Sequence, residues 1–461
     1  MRMPKARGLV IFLSATLMLQ LSANAAERMG LKASAWKPMC AVSQELGDVQ
    51  STAASAAQEM LQQTNTMLVG ALRARVHALK NFCTAVAARA FVLANYFSKR
   101  ADAALTALRT SSLKSQIEAS ASTAYLKGRI DDFLSLLEQS SSAENNACLF
   151  PAETVADAVK RNGSKLGDTA CELSPPQLQG SKATQAAPAL KTINSLLTGT
   201  GTDDTHQPAV SGSQKCKLLS AHSTNGFGNT DQPASPISVA GGYIEIPVTQ
   251  AGVTLKSPAE LKRQGQPKTK PWHEATTKAE KMETASSAGV ANETGVLSGR
   301  ATLRAVIAAM LPKAERADEQ KITDKIKAIF DGLDSKQLQQ AEEAVDNDKI
   351  PKDMTDDEAD RRLGDLSDLT QLVTILSRYE AKMTHDLAKL KDKLNTESKQ
   401  QGSKPEIEDK QKECGKNHAS QYDCDSKDFC TYDKTKDEGK RRVYNETKAK
   451  EKGVTVTQTQ T

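Results

Sequence analysis

Aromatic residues are scarce. Phe, Tyr and Trp together make up 4% of 461 residues, which argues against a large aromatic-lined pocket. Neither sign of charge dominates: 61 Lys and Arg stand against 56 Asp and Glu, a formal net charge of +5, interspersed along the chain. That balance favours solubility and argues against a nucleic-acid partner. Beyond residue 25 no run approaches the ~18 apolar residues of a membrane-spanning helix. Phosphate-binding glycine loops and the G-x-S-x-G elbow are absent. Gly199-Thr200-Gly201 lacks a third glycine, and His273-Glu274 opens a zinc-protease motif that Thr277 breaks. The six histidines (His77, His206, His222, His273, His385, His418) are scattered, and all but His418, which stands among cysteines, read as surface residues. No enzymatic constellation remains, and neither a cofactor nor a metal is expected.

What is present begins at the N-terminus. Arg2, Lys5 and Arg7 precede an apolar stretch at 10–21, and Ala23-Asn24-Ala25 supplies small residues at −3 and −1. This is the pattern of a secretory signal peptide, 1–25, cleaved after Ala25. The mature chain then folds in an oxidising lumen, where cysteines pair. That bears on Cys414, His418, Cys424 and Cys430, which crowd one short window. Three thiols and an imidazole suit zinc or a disulfide staple. The spacing lacks the Cys-x2-4-Cys knuckle of structural zinc sites, so a partly formed disulfide module is favoured.

Between Cys40 and Phe150 there is no proline, and glycine occurs only at Gly47, Gly70 and Gly128. Apolar residues recur at helical spacing through Met60, Met67, Leu68, Leu72, Val76, Leu79, Phe82 and Val86. They continue through Val92, Tyr96, Ala104, Leu105 and Leu108. The stripe predicts one helix of ~60 residues, about 90 Å long at 1.5 Å per residue. Cys83 would lie on it as a small buried apolar residue, or as a disulfide across a dimer seam. A second helix, 112–139, is expected to return antiparallel, because a lone helix could not hide this stripe. From 143 to about 271 Gly, Ser, Thr, Pro and Asn dominate, predicting exposed loops with short strands such as 241–249. Helices are expected again at 303–311, 323–333, 336–345 and 356–394. A polar linker, 396–412, and a small module, 413–461, follow. The fold class is therefore mainly α: a long antiparallel helical hairpin or coiled coil, a loop-rich, short-stranded distal lobe and a disulfide-containing C-terminal module. Sequons stand at Asn162, Asn292 and Asn445.

These features resemble the trypanosome variant surface glycoproteins with an A-type N-terminal domain. The likeness rests on WKPMC around Cys40, YLKGRIDDFLSLL around Gly128 and LGDLSDLTQLVTIL near 363–376. Its most specific part is the ECGKN…YDC…DFCTYDKTKDEGK…NETKAKEKG pattern of the C-terminal module. The resemblance implies an A-type domain over 26–395 and a partial C-terminal domain over 413–461. It implies the pairs Cys40–Cys171 and Cys148–Cys216, and a glycan on Asn292. It also implies a homodimer through the long helices, held on the outer face of the plasma membrane by a glycosylphosphatidylinositol anchor. In that role the protein shields the membrane, meets host antibodies and changes by antigenic variation. A receptor-type relative that binds a host serum ligand is the alternative. Related sequences carry a fourth cysteine where Arg442 stands, so one of Cys414, Cys424 and Cys430 is expected to be unpaired. The terminal GVTVTQTQT has no anchor signal, and the expectation from it is a fragment, a degenerate copy or an unanchored product.

Overall fold

The structure is a computed structural model. It describes residues 29–142, 147–178, 197, 201–202, 206–208, 216–223, 226–228, 231–249, 252–284, 293–416 and 421–454. The signal-peptide segment and Asn292 lie outside these residues. The chain divides into two compact units, Met1–Ala71 with Ala94–Leu338, and Leu72–Leu93 with Gln339–Thr461.

Helix α1 (Ala33–Lys80) is followed by α2 (Ala85–Ala107), a π-helical segment (Leu108–Ser112) and α3 (Leu113–Gln139). In the first unit α1 packs antiparallel to the α2–α3 run. Gly70 faces Phe97, Met60 and Met67 cluster with Ala101 and Ala104, and Ser43 meets Asp131. Alanine is abundant because small side chains let the helices approach: Ala53, Ala56, Ala101 and Ala104 are all buried.

The reversal is not where the periodicity put it. The long helix expected to run to Leu108 ends at Lys80, and the chain turns back over residues 81–84. At 108–112 the helix passes through a π-helical widening and does not turn. There Ser111 and Ser112 donate to Glu283 Oε2 at 2.8 and 2.6 Å, while Gln116 donates to the Glu283 carbonyl at 2.9 Å.

The loop-rich lobe builds on the α1–α3 pair. A four-stranded antiparallel sheet runs in the order β4 (Gly201–Thr202), β7 (Thr254–Leu255), β6 (Ile244–Ile246), β5 (Ile237–Val239). The strand expected at 241–249 is shorter, because Gly241 and Gly242 adopt φ +69° and +99°. A Cβ on Gly242 would stand 2.2 Å from the Lys268 carbonyl. A small meander, β1 (Arg161–Asn162), β2 (Lys165–Leu166) and β3 (Thr169–Ala170), carries the first sequon. Helix α4 (Pro258–Leu261) is a single capped turn. Helix α5 (Lys270–Glu280) was not foreseen. It buries Trp272, Ala275, Thr276 and Ala279, and the Trp272 indole donates to the Ala240 carbonyl at 3.0 Å. Helices α6 (Ala301–Met310), α7 (Glu319–Phe330) and α8 (Ser335–Asp346) follow.

In the second unit β8 (Lys349–Ile350) pairs with β9 (Arg361–Arg362), flanking the short helix α9 (Lys352–Thr355). Helix α10 (Leu369–Lys416) starts later than the expected 356 and ends well beyond 394. The later start has local causes. Asp356 is left-handed at φ 60°, and Asp368 caps the helix by accepting from the Gln371 N–H at 2.7 Å. Residues 396–412 lie within α10. The C-terminal module comprises α11 (Gln421–Asp425), the β10–β11 pair (Cys430–Tyr432 with Arg442–Tyr444) and α12 (Glu446–Glu451).

Candidate functional site

The residues singled out above resolve into staples, buried ionic anchors and exposed attachment points. The structure brings Cys40 to Cys171 and Cys148 to Cys216, with S–S distances of 1.98 and 2.02 Å. The two bridges close loops of sequence separation 131 and 68. Both fasten the lobe to the start of α1 or to the strand-like segment after α3. That segment is itself held by backbone pairing: Leu31 N–H donates to the Cys148 carbonyl and Phe150 N–H to the Leu31 carbonyl, at 2.8 and 2.9 Å. Gly30 permits the approach, since a Cβ there would meet the Ala147 carbonyl at 2.2 Å. Trp36 is fully buried and donates its indole N–H to the Phe150 carbonyl at 2.8 Å.

On α3, Lys127 and Asp131 are one turn apart and both buried. Lys127 Nζ donates to Asp131 Oδ2 at 2.6 Å, to Ser43 Oγ at 2.9 Å and to the Glu172 carbonyl at 3.2 Å. The Ser43 hydroxyl donates to Asp131 Oδ1. One ammonium thus joins α1, α3 and the residue beside Cys171. Burial raises the Asp131 carboxyl above its usual range, and the bonds from Lys127 and Ser43 offset this only in part.

In the second unit the last turns of α1 present Arg73, His77 and Lys80 on one face. Arg73 donates to Asp346 Oδ1, the Gly364 carbonyl and the Leu366 carbonyl at 3.1, 2.8 and 3.0 Å. His77 Nδ1 and Lys80 Nζ each lie 2.5 Å from an Asp348 oxygen. Burial pushes the Asp348 carboxyl up, but the His77 and Lys80 hydrogen bonds outweigh it and hold the group below its ordinary value. His77 is buried, and so is His206, against the expectation of surface histidines. The reason for His77 is this ion-pair network.

Cys83 sits in the turn between α1 and α2. It is exposed, not buried, and is left-handed at φ 67°. In the C-terminal module Cys414 bonds Cys430 at 1.99 Å and Cys424 remains a buried thiol. Burial raises the Cys424 thiol pKa, and Asp425 adds to it. His418 lies outside the described residues. Among the described residues no group of three His, Cys, Asp or Glu is placed to hold a metal ion, and no helix is long and apolar enough to cross a membrane.

Of the sequons, Asn162 is exposed at the β1–β2 turn, next to Gly163 at φ 61°. Asn445 caps α12: its Oδ1 accepts from the Lys448 N–H at 3.0 Å and its Nδ2 donates to Thr431 Oγ1 at 2.9 Å.

Residues 11–380 match the family described as trypanosome variant surface glycoprotein (A-type). Variant surface glycoprotein MITAT 1.1 of Trypanosoma brucei brucei is 32% identical over 421 residues, spanning 91% of this chain and 84% of that protein. Variant surface glycoprotein MITAT 1.2 of the same organism is 27% identical over 454 residues, 96% of this chain and 93% of the relative. The solved structure of MITat 1.1 superposes with a TM-score of 0.71 at 30% identity, covering 80% of this chain and all of that one. The buried Trp36, the Lys127–Asp131 pair and the Arg73 contacts at Gly364 and Leu366 all lie within the matched residues 11–380, and the chain belongs to the A-type trypanosome variant surface glycoproteins.

Proposed function

We propose that this variant surface coat glycoprotein works as a homodimeric, lipid-anchored post on the outer face of the parasite plasma membrane. It shields the membrane sterically, offers its variable loops to host antibodies and acts without catalysis. The observation that carries the reading is the family match over residues 11–380. The physical design supports it. The antiparallel helices and two long-range disulfides hold the core, so exposed loops are free to change with little loss of stability. Attachment is proposed through a glycosylphosphatidylinositol anchor, as in the family. N-glycans are proposed on Asn162, Asn292 and Asn445. At Asn445 a glycan replaces one Nδ2 hydrogen, and the other still reaches Thr431.

The test is live-cell staining of trypanosomes expressing this chain, with antibodies raised against it. Uniform surface signal that is released by phosphatidylinositol-specific phospholipase C is expected. Signal seen only after permeabilisation would overturn the surface role, and surface signal resistant to the lipase would overturn the anchor.

A further inference from the structure

We infer that residues 383–394 of α10 form a parallel two-stranded coiled coil with a second copy of this chain. The inference rests on the homodimer proposed above and names a face for it beyond residues 11–380, where the family match ends. Leu372, Ile375, Leu376 and Tyr379 form the buried stripe of α10. Past Tyr379 the helix continues to Lys416, and the stripe continues with it, but its cover stops. Leu387, Leu390 and Leu394 are 48%, 56% and 65% exposed. With Met383 they follow the alternating four- and three-residue spacing of d, a, d, a positions in a heptad repeat. A stripe of leucines on an otherwise charged helix is exposed at a cost unless a partner covers it.

Charge selects the occupant. With Leu387 at a and Leu390 at d, Asp386 falls at g and Lys391 at the following e. In a parallel pair each g residue meets the e residue five positions on in the partner. Asp386 of one copy then faces Lys391 of the other, twice by symmetry. The outward f positions are His385 and Asp392, which are polar as a solvated face requires. Two such short segments are marginal alone. Held together by a dimeric N-terminal domain they meet at high effective concentration.

The experiment uses the full chain in a Cys83→Ser background, which removes the other exposed thiol. Leu390→Cys at the seam and Asp392→Cys on the outer face are oxidised mildly and run on non-reducing gels, with molar mass from light scattering. The expected result is a dimer by mass that Leu390→Cys locks covalently at least ~10-fold faster than Asp392→Cys. Asp386→Lys should slow that cross-link, and Asp386→Lys with Lys391→Asp should restore it. Dimer mass with no preference for position 390 overturns the coiled coil and leaves the homodimer standing. Monomer mass with no cross-link overturns both.

Discussion

At the level of single residues, the ion pair of Lys127 and Asp131 shows how the lobe is fixed to the helices. The side chain of Lys127 is 6% exposed and that of Asp131 12%, so neither charge has water to fall back on. Removing one partner of a buried pair leaves the other uncompensated and typically costs about 3–5 kcal/mol. Lys127→Met should therefore lower stability by about 3 kcal/mol in denaturant unfolding. Lys127→Met with Asp131→Leu should recover most of that loss, because an apolar pair of similar volume removes the desolvation penalty. A double variant no better than the single one would show that the contact to Ser43 and the Glu172 carbonyl, not the pairing of charges, is what matters. The sequence displayed LKGRIDD at helical spacing, so an i, i+4 pair was readable. Its burial was not, since that depends on Ser43, 88 residues away, and on the Cys171 loop.

At the level of elements, the turn between α1 and α2 was the feature that periodicity missed. Apolar spacing runs through Phe82 and Val86 without a break in phase, and neither glycine nor proline marks the reversal. The signals were smaller. Asn81 donates its amide to the His77 carbonyl at 2.9 Å, closing α1, and Thr84 Oγ1 accepts from the Ala87 N–H at 3.2 Å, opening α2. Threonine three residues before a backbone donor is an N-cap signature. Between them Cys83 holds a left-handed conformation that costs a residue with a Cβ about 1 kcal/mol. Cys83→Gly should raise stability by up to about 1 kcal/mol, and Cys83→Val should lower it, both read as shifts in thermal midpoint. A lower midpoint for the glycine variant would mean that the thiol contributes more than its backbone strain costs. The helices at 301–346 were legible because each carries a regular apolar face. Helix α5 is masked in the sequence by the long Gly-, Ser- and Pro-rich stretch before it, although Trp272, Ala275, Thr276 and Ala279 have helical spacing.

Over the whole molecule, the covalent ties are unevenly shared. The first unit carries both bridges that close long loops, with separations of 131 and 68, while the second carries Cys414–Cys430, with a separation of 16. In the chain-entropy view the two long closures contribute about 4–5 kcal/mol each, and the short one about 3. The described strands of the lobe in the first unit are only two or three residues long, so the lobe depends more on cross-links than on its own ladders. The second unit is held largely by α10 and by the Arg73, His77 and Lys80 contacts to Asp346 and Asp348, which a reductant does not touch. Reduction under native conditions should therefore raise amide hydrogen exchange by orders of magnitude across residues 147–178 and 216–249. Residues 339–380 should keep their protection. A uniform rise across both sets would show that the units unfold as one and that the helices alone do not hold the second. A rise confined to 421–454 would show that the long-loop bridges add little once the helical core has formed.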